Sequence, residues 1–366
     1  MVIGIDASRA VGGARQTGTE NYARRLIEAL LAAGGGRRFR LYFREAPPAG
    51  LFRVNPPDVE QRVIPFPRLW THVRLSYELL RRPRPDVLFV PAHVLPLAHP
   101  LPTVVTVHDL GYRYFPDAHP MAQRLYLDWS TRFSARGATR VIADSQATRA
   151  DLSRFYGIAA EKITVVYPGR DETLADADRG RVREHYGLPA EYLLHVGTLQ
   201  PRKNLVRLIE AAAALRAHRP GLELVLAGRP GWKAGPILAR AREQQGFVRT
   251  LDYVPQADLA GLYSGAQAFV FPSLYEGFGF PVLEAMACGT PVVCSNTSSL
   301  PEVVGEAALM VAPTDTQALA AAVGRVLDDP SLRAALVAKG LAQAQRFSWA
   351  RAAAETMQVL ERAARA

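Results

Sequence analysis

Cysteine is nearly absent from this chain of 366 residues, which contains only Cys288 and Cys294. Both lie in apolar segments, MACGT and VVCSN. Two cysteines are too few for a disulfide framework or a cysteine-rich zinc cluster. This scarcity argues against the disulfide-rich secreted class and is typical of a protein that stays in a reducing compartment.

Long apolar runs are absent as well. No segment approaches the roughly 18 consecutive apolar residues that a membrane-spanning helix needs. The first residues, MVIGIDASRAVGG, have neither a basic leader nor a long apolar core, so a secretory signal is not expected. We therefore expect a cytoplasmic globular protein, and a content of 49% hydrophobic and 21% charged residues agrees with that class.

Acidic residues are outnumbered by basic ones, with 34 Asp and Glu against 44 Lys and Arg, and the net charge is +10. A positive field favours anionic ligands such as nucleotides or acidic lipid headgroups. The basic residues are scattered, however, without a Lys/Arg-rich block or a nucleic-acid-binding motif. Nucleic acid is therefore not expected as a partner.

The chain does contain a repeated order of apolar strand, glycine-rich loop and amphipathic helix, beginning with the strand candidate VIGIDAS at residues 2–8. Strands that alternate with helices predict an α/β fold with parallel sheets. The length favours two domains, and two doubly wound, Rossmann-like domains facing across a cleft are the simplest arrangement. We predict a first domain at 1–172, a polar linker at 173–190, a second domain at 191–348, and a final helix at 349–366 that could pack on either domain.

Two carboxylates flank a glycine-aromatic loop in YEGFGFPVLEAMACGTPVV, residues 275–293. The loop follows an apolar strand, and Pro281 suits the first turn of the next helix. Backbone N–H groups at such a helix start bind anions. Glu276 and Glu284 are then acceptors for the hydroxyls of a ligand. On spacing alone it is equally consistent that Glu276 is solvated and that Glu284 only interacts with the helix dipole.

The same stretch resembles the E-x7-E signature of the retaining GT-B glycosyltransferases, the family that includes sucrose synthases and bacterial mannosyltransferases. The spacing, the A-x-A-x-G-x-P-V-V tail and the downstream SSLPEVVGEAALMVAP agree with it. The resemblance extends over the whole chain and implies a GT-B fold. It implies that Glu276 lies near the donor sugar hydroxyls and that Glu284 holds the ribose of the nucleotide. It also implies that the backbone contacts the sugar or the diphosphate around Phe278, Gly279, Phe280, Val282 and Leu283.

The segment HVGTLQPRKNL ends a strand at Gly197 and brings Arg202 and Lys203 just before a helix, with Asn204 as the predicted cap. Adjacent cations at such a turn neutralise charge that grows on a leaving diphosphate, so they act mainly on the transition state. An Arg-Lys pair alone is more often a solvated surface feature. This pair matches the family's G-x-x-x-x-R/K-K-N/G motif, which implies catalytic roles for both cations.

Other segments resemble the family more weakly. VVTVHDLGYRYFP ends a strand at His108, which resembles the family histidine near the transferred sugar. We expect it to hold a sugar hydroxyl rather than act as a general base, and a purely structural histidine is the alternative. In GGARQTGTENYARRL, Gly18 aligns with a loop that meets the diphosphate, although G-T-E-N-Y replaces the usual G-I-G-R-Y. The resemblance also brings Gly228, Tyr253 and Val254 close to the nucleotide and its base.

Metal and cofactor are not expected. Asp176 and Asp178 imitate a D-x-D metal motif, but they lie in the predicted linker with no strand to orient them. With two cationic side chains and a helix N-terminus available for the diphosphate, the predicted chemistry needs no metal.

The segment PRLWTHVRLSYELLRRPRPD is predicted to form a basic amphipathic helix. Its apolar stripe consists of Leu69, Trp70, Val73, Tyr77 and Leu80. Packing of this stripe on the protein's own sheet is the favoured interpretation. Peripheral contact with an anionic membrane, on its inner face, is the alternative.

Together these features predict a retaining glycosyltransferase that moves a hexose from a nucleotide-diphosphate sugar to a hydroxyl of a saccharide or lipid-linked acceptor in cell-surface polysaccharide synthesis. VHDLGYRYFP and LVLAGRPGW resemble bacterial mannosyltransferases, so GDP-mannose is the first donor to consider. A front-face mechanism and a covalent intermediate are both open. The alternatives are a sugar-nucleotide 2-epimerase of the same architecture and a catalytically silent protein that binds nucleotide sugars.

Overall fold

The computed structural model describes residues 1–11, 18–52, 58–118, 120–175 and 178–366. The glycine-rich loop at 12–17, just before Gly18, and Asp176 of the D-x-D sequence lie outside the described residues. The chain divides into two units. The first comprises Met1–Arg113, Met121–Gly169 and Phe347–Ala366, and the second comprises Tyr114–Pro120 and Arg170–Arg346.

The strands of the described residues fall into two sheets. They are β1 (Val2–Asp6), β2 (Arg38–Phe43), β3 (Val59–Val63), β4 (Val87–Val90), β5 (Thr103–Val107), β6 (Arg140–Ala143) and β7 (Ile163–Val165) in the first unit, and β8 (Tyr192–Val196), β9 (Glu223–Ala227), β10 (Val248–Leu251), β11 (Ala268–Phe271), β12 (Val292–Ser295) and β13 (Ala308–Val311) in the second.

Helices alternate with these strands along the chain. They are α1 (Gly18–Ala32), α2 (Ser76–Leu80), α3 (Gly111–Tyr114), α4 (Met121–Gly137), α5 (Gln146–Tyr156), α6 (Arg179–His185), α7 (Leu205–Arg216), α8 (Gly235–Glu243), α9 (Gln256–Gly265), α10 (Phe280–Ala287), α11 (Leu300–Val304), α12 (Thr316–Asp328), α13 (Pro330–Ala344) and α14 (Trp349–Ala364). A π-helical turn, Trp70–Leu75, runs directly into α2, and a 3-10 turn, Pro201–Lys203, precedes α7.

The sheet of the first unit is parallel, with strand order β3-β2-β1-β4-β5-β6-β7. Every residue of its central strands β4 and β5 is buried. Such continuous apolar strands form where helices cover both faces of a parallel sheet. The strand order reverses between β1 and β4, and the carboxyl ends of these strands therefore border the crevice where doubly wound sheets bind ligands.

The sheet of the second unit is also parallel, with strand order β10-β9-β8-β11-β12-β13. Counted within the unit, this is the order 3-2-1-4-5-6 of dinucleotide-binding folds. The reversal lies between β8 and β11, and the segments that follow these two strands contain most of the predicted site residues. The predicted fold class, an α/β protein with two Rossmann-like doubly wound domains, is confirmed.

The structure has a helix where the sequence predicts a linker. Asp178 caps α6 by accepting from the N–H of Arg181. Val182 is buried against α9, where a Cβ on Gly261 would lie 2.6 Å from its side chain. Arg181 also pairs with Asp258 of α9 at 2.5 Å. The helix has a single buried apolar residue and is otherwise held by polar contacts, so its sequence shows no apolar stripe.

The final helix, α14, packs on the first unit, against α1 and strands β4, β5 and β6. The ring of Trp349 meets the ring of Tyr22 edge to face, with centroids 5.8 Å apart. The chain passes so close to Gly169 that a Cβ there would lie 2.2 Å from the backbone nitrogen of Trp349. Further along, Glu361 accepts a hydrogen bond from Nε of Arg37 at 3.0 Å.

The apolar stripe predicted to pack on the sheet is mostly exposed. Of its five side chains Trp70 is buried and the other four are in contact with solvent. Leu75 and Leu79 form the buried side of this segment instead. The interpretation of the stripe as core is therefore wrong. The physical reason is local, because Leu69 has a φ of +52° and a π-helical turn follows it, so the spacing of an α-helix does not apply there.

Candidate active site

Strands β8 and β9 are each followed by a glycine, and these two glycines lie against each other. Gly197 and Gly228 have φ values of +147° and +145°, a region that side chains with a Cβ rarely adopt. A Cβ on Gly228 would lie 2.1 Å from the carbonyl oxygen of Gly197. The N–H of Gly197 donates to Ala227 at 2.9 Å. Glycine at position 228 is thus a condition for this close approach of the two strand ends.

Three of the predicted catalytic residues form one ion cluster, which we call the ion triad: Arg202, Lys203 and Glu276. Lys203 Nζ donates to Glu276 Oε1 at 2.6 Å, and Arg202 Nη1 donates to Glu276 Oε2 at 3.0 Å. The same Arg202 nitrogen also donates to the carbonyl oxygen of Tyr275. The two cations follow β8 and the carboxylate follows β11. The triad therefore lies where the strand order of this sheet reverses.

The charges of the triad determine the ionisation of Glu276. Burial raises the pKa of Glu276, but the charges of Arg202 and Lys203 outweigh burial and lower this pKa to about 2. Glu276 is therefore a carboxylate throughout the neutral range. One carboxylate facing two cations leaves an excess of one positive charge, which suits an anionic ligand.

Aromatic rings support the ammonium group of the triad. Lys203 Nζ lies 4.6 Å from the ring centroid of Phe271, a cation–π distance. The ring of His195 stacks on the same Phe271, and its Nδ1 faces the carbonyl oxygen of Val270 at 3.2 Å. Burial and the charge of Lys203 lower the pKa of His195 to about 3, so this ring is neutral. Sequence reasoning missed His195, although it opens the motif HVGTLQPRKNL.

Two serines hold the loop that carries Glu276. Ser298 Oγ accepts from the N–H of Glu276 at 2.8 Å. Ser299 Oγ lies 3.0 Å from the carbonyl oxygen of Glu276 and 2.7 Å from that of Phe278. Neither serine was predicted as a site residue. The available signal was the segment SSLPEVVGEAALMVAP, which resembles the family but does not reveal what its first two residues contact.

Helix α10 begins directly after the loop, at Phe280. Gly279 precedes it with a φ of +113°, and a Cβ there would lie 2.8 Å from the side chain of Leu300. The N–H groups of Val282 and Leu283 donate to the carbonyl oxygen of Gly279 at 3.1 and 3.4 Å. The sequence assigns these two backbone N–H groups to the diphosphate. In the structure they donate within the first turn of α10, to the carbonyl oxygen of Gly279.

Glu284, the second carboxylate of the motif, belongs to a different set of contacts. Its Oε2 accepts from the hydroxyl of Tyr263 at 2.8 Å. Burial raises the pKa of Glu284 to about 7; the Tyr263 hydrogen bond lowers it and the charge of Asp171 raises it further. Tyr263 is fully buried, and sequence reasoning missed it. The two glutamates of the motif thus have opposite pKa shifts.

The predicted base contacts lie after β10. Val254 is buried, whereas the side chain of Tyr253 is 39% exposed. The guanidinium of Arg229 lies 5.4 Å from the ring centroid of Tyr253 and 3.7 Å from the carboxylate of Asp252. A planar ring with a cation beside it is an arrangement on which a nucleotide base can stack.

In the first unit, His108 follows β5 and faces a buried carboxylate. Its Nδ1 lies 2.6 Å from Asp144 Oδ2, and its Nε2 lies 3.3 Å from the carbonyl oxygen of Pro91. Burial lowers the pKa of His108, but the charge and hydrogen bond of Asp144 outweigh burial and raise this pKa above its ordinary value. Both ring nitrogens face acceptors, so a protonated ring satisfies the contacts best, and such a ring has no lone pair for general-base work.

Gly18 and Asn204 are the remaining predicted positions of the site. Gly18 is the first residue of α1 and is exposed. Asn204 does precede α7, but its side chain does not cap the helix, so that prediction is wrong. Its Nδ2 donates to the carbonyl oxygens of Pro272 and Pro313 at 3.0 and 2.6 Å. With a φ of +60°, its amide points to the loops after β11 and β13 instead of the first turn of the helix.

The described ranges of the chain have neither a cluster of metal-ligating side chains nor a helix that could span a membrane. Within them, no three His, Cys, Asp or Glu side chains are grouped so that they could hold a metal ion. None of the helices in those ranges has the length and apolar character needed to cross a bilayer.

Both halves of the chain match glycosyltransferase families. Residues 16–174 match Glycosyltransferase Family 4, and residues 178–343 match glycosyl transferases group 1. The O-antigen chain mannosyltransferase B of Escherichia coli is 38% identical over 261 residues, which cover 69% of this chain and 68% of that protein. The serotype-specific mannosyltransferase WbdA of Escherichia coli is 33% identical over 269 residues, but these cover only 32% of its length.

Solved structures agree with the fold. Sucrose-phosphate synthase from Thermosynechococcus elongatus superposes with a TM-score of 0.74 at 24% identity and covers 99% of this chain and 98% of its own. The fold of this chain is therefore that of GT-B glycosyltransferases. The chain belongs to the glycosyltransferases, with a family 4 segment followed by a segment of glycosyl transferases group 1.

Proposed function

We propose that this glycosyltransferase moves mannose from GDP-mannose to a hydroxyl of a saccharide or lipid-linked acceptor, with retention at the anomeric carbon, in cell-surface polysaccharide synthesis. Both Escherichia coli relatives are named as mannosyltransferases, one of them of the O-antigen chain, which supports the sugar and the pathway class. The observation that carries the chemistry is the ion triad of Arg202, Lys203 and Glu276 where the second sheet reverses its order.

The proposed reaction breaks the bond between the anomeric carbon and the phosphate oxygen and forms a bond from that carbon to the acceptor oxygen. The electron pair of the broken bond goes to the leaving nucleoside diphosphate, and in the front-face alternative the departing phosphate oxygen takes the proton of the acceptor hydroxyl. Arg202 and Lys203 are assigned to this charge. Both are already held by Glu276, so little reorganisation is needed as the charge develops. A front-face displacement and a covalent intermediate both satisfy this assignment.

Glu276 has a second task in the proposal. Its carboxylate is ionised and keeps acceptor capacity beyond the two hydrogen bonds from the cations. We assign this capacity to hydroxyls of the donor sugar. The loop that carries Glu276 is tied by Ser298 and Ser299, which keeps this acceptor in a defined position.

The nucleotide is assigned to the remaining residues of the second unit. Glu284, steadied by the Tyr263 hydroxyl, would accept from the ribose hydroxyls. The backbone at Tyr253 and Val254 would meet the base, and the turns at Gly197 and Gly228 would let the chain approach the phosphates. In the first unit, we assign His108 to a sugar hydroxyl. Asp144 holds its Nδ1 at 2.6 Å, so the sugar would take the place of the Pro91 carbonyl oxygen, which Nε2 meets at the longer distance of 3.3 Å.

The proposal includes no metal or other cofactor. Arg202 and Lys203, whose charges leave the triad with one positive charge in excess, are assigned the stabilisation that a divalent ion would give to the diphosphate. The paucity of cysteine supports a cytoplasmic setting.

The test is a panel of nucleotide sugars scored for release of nucleoside diphosphate, with and without mannose-containing acceptors and with a metal chelator present. We expect release from GDP-mannose that depends on acceptor and resists the chelator. Lys203→Ala should reduce kcat by about 10²- to 10³-fold with a smaller effect on donor affinity. Lys339→Ala, at an exposed pair with Glu306, is the matched control and should leave kcat unchanged.

The same panel separates the alternatives. A 2-epimerase would interconvert sugar nucleotides without acceptor-dependent release, and a silent binding protein would bind donors without turnover on any acceptor. The anomeric configuration of the product, read by NMR coupling, tests retention, because an inverted linkage would contradict it.

A further inference from the structure

His195 lies where strands β8 and β11 separate. The register of β8 on β9 extends to Val196, whereas its register on β11 ends at Leu194. One residue further, the side chain of His195 contacts β11, because its Nδ1 faces the carbonyl oxygen of Val270 at 3.2 Å. The strand order of the second sheet reverses at this point. The ring therefore lies at the base of the crevice that a doubly wound sheet offers to ligands.

The imidazole of His195 has one nitrogen in use and one without a partner. The ring is neutral, and a neutral imidazole has one N–H donor and one acceptor. Since the carbonyl oxygen of Val270 can only accept, the proton is on Nδ1 and Nε2 is the acceptor. His195 is fully buried, and no donor among the described residues lies within hydrogen-bond distance of Nε2. A buried acceptor of this kind is rare in folded proteins and calls for a donor that arrives with the ligand or moves towards it.

The unpartnered nitrogen lies beside the ion triad. A Cβ added to Gly197 would lie 3.6 Å from Nε2 of His195, 3.7 Å from Cε of Lys203 and 4.0 Å from Nζ of Lys203. Nε2 and the ammonium group therefore border the same open position next to Gly197. The two groups also share a support. Phe271 stacks on the His195 ring with centroids 5.3 Å apart, and Lys203 Nζ lies 4.6 Å from the centroid of the same Phe271.

The ammonium group of Lys203 is the donor that suits this nitrogen. A diphosphate ionised at neutral pH presents only acceptor oxygens to the protein, so it cannot satisfy Nε2. An ammonium group can donate three hydrogen bonds. A bond from Nζ to Nε2 therefore does not require Lys203 to leave Glu276, which it contacts at 2.6 Å. A bound water is the other donor to consider, and the experiments below distinguish it from Lys203.

We propose that His195 is a positioning residue for Lys203: in the nucleotide-bound enzyme its Nε2 accepts a hydrogen bond from Lys203 Nζ and holds the ammonium group against the diphosphate. This inference rests on the proposed function, because that function assigns Lys203 to the leaving group. Glu276 and His195 then fix the ammonium group together, so little reorganisation remains when charge develops on the diphosphate.

The first test is a pair of amide variants. In His195→Asn the amide takes the place of Nδ1 and can still donate to Val270, whereas in His195→Gln it reaches the place of Nε2 and supplies an acceptor near Lys203. With GDP-mannose as donor, kcat should fall about tenfold in His195→Asn, as expected for one lost hydrogen bond, and clearly less in His195→Gln. The donor KM should change little in either variant. A purely structural histidine would give the opposite order of activity, because only the asparagine keeps the contact with β11.

The second test uses the parent protein and needs no turnover. Nitrogen-15 NMR of the histidine rings, assigned with His195→Gln, should show Nε2 of His195 without a proton at neutral pH. Addition of GDP should shift this resonance upfield as the nitrogen accepts a hydrogen bond, and the shift should be absent in Lys203→Ala. An equal shift in Lys203→Ala would mean that a water is the donor and would overturn the proposal, as would a resonance that GDP does not move.

Thr356→Val is the control variant. Thr356 is also fully buried and its Oγ1 has no partner among the described residues, but it belongs to α14 of the first unit. Its replacement should leave kcat unchanged. Equal kcat for the two His195 variants, beside a large loss in Lys203→Ala, would contradict this inference alone. Full activity of Lys203→Ala would instead contradict the proposed function, and the inference with it.

Discussion

At the scale of single residues, neighbours decide the charge of Glu276 and Glu284. Two cations beside Glu276 lower its pKa to about 2, whereas burial beside a tyrosine hydroxyl raises the pKa of Glu284 to about 7. One acid is therefore a permanent carboxylate and the other titrates near neutrality. A difference of this kind lets two identical side chains perform different tasks in one site.

Nucleotide binding should depend on the titration of Glu284. We expect affinity for GDP to rise as pH increases through about 7, because the ionised carboxylate is the stronger acceptor for ribose hydroxyls. Glu284→Gln should bind more weakly above that pH and show a flat profile. Calorimetric titration on either side of neutrality measures this, and a flat profile for the parent would contradict the assignment.

The same group links folding to pH in the absence of nucleotide. Its folded pKa is raised from 4.5 to about 7, so the folded state binds more protons across that window. The stability contributed by the neutral acid is present at lower pH and is lost as pH rises through 7. Glu284→Gln should therefore melt higher than the parent in alkaline buffer and similarly near pH 4.5. Differential scanning calorimetry would detect a reversed order.

The contact between His108 and Asp144 in the first unit gives another prediction at the scale of residues. Asp144→Asn keeps the shape of the side chain but removes the charge that opposes burial of His108. We expect the pKa of His108 to fall, as followed by NMR of the ring and assigned with His108→Gln. An unchanged pKa would mean that Asp144 does not hold the proton on the ring.

At the scale of elements, the backbone where β8 and β9 end is tightly constrained at Gly228. Gly228→Ala would bring a Cβ to within 2.1 Å of the Gly197 carbonyl oxygen and would keep a φ of +145°. Backbone strain alone costs about 1–3 kcal/mol, and the clash adds to it. We expect a clear loss of the free energy of unfolding in denaturant titration. Gly221→Ala, with open space around its Cβ, should cost far less.

Elements with continuous apolar runs were predictable from sequence, and those held by polar contacts were not. Strand β5 is buried throughout and was found, as the strand that ends before His108. The edge strand β3, with sequence VEQRV, and the helix α6 were missed because most of their side chains are exposed. The apolar stripe within residues 69–80 failed for a different reason: its spacing predicted burial, but a π-helical turn at its start leaves all of it except Trp70 exposed to solvent.

The residues of the candidate site also fall into two groups, those that the sequence predicted and those that it did not. Arg202, Lys203 and Glu276 were identified because they belong to local motifs with fixed spacing, and the structure brings them into contact. Tyr263 and Ser299 contact the site across 21 to 23 residues of sequence, and no local pattern reveals such a contact. The ligand contacts assigned to all these residues stay predictions.

At the scale of the whole molecule, the first unit is completed by a segment distant in sequence. Helix α14 buries Ala353, Leu360 and Ala363 on that unit, and the second unit separates it from the rest along the chain. The integrity of the first unit therefore depends on residues that follow the second.

Removal of residues 347–366 should destabilise one unit selectively. Hydrogen exchange followed by mass spectrometry should show lost protection in α1 and in strands β4 to β6, with strands β8 to β13 unchanged. Leu360→Ala, at a fully buried position, should destabilise the first unit by about 2–5 kcal/mol. Arg351→Ala, on the exposed side of the same helix, is the control. Equal loss of protection in both units would contradict this selectivity.

The return of α14 also has a consequence for biosynthesis. The chain emerges from the ribosome with its N-terminus first. The long segment from Arg170 to Arg346 therefore emerges, and can fold, before Phe347–Ala366 appears. During that interval the nascent first unit has an uncovered apolar face along α1. Chaperone binding to the growing polypeptide should therefore be strongest during this interval and should end when the last segment docks.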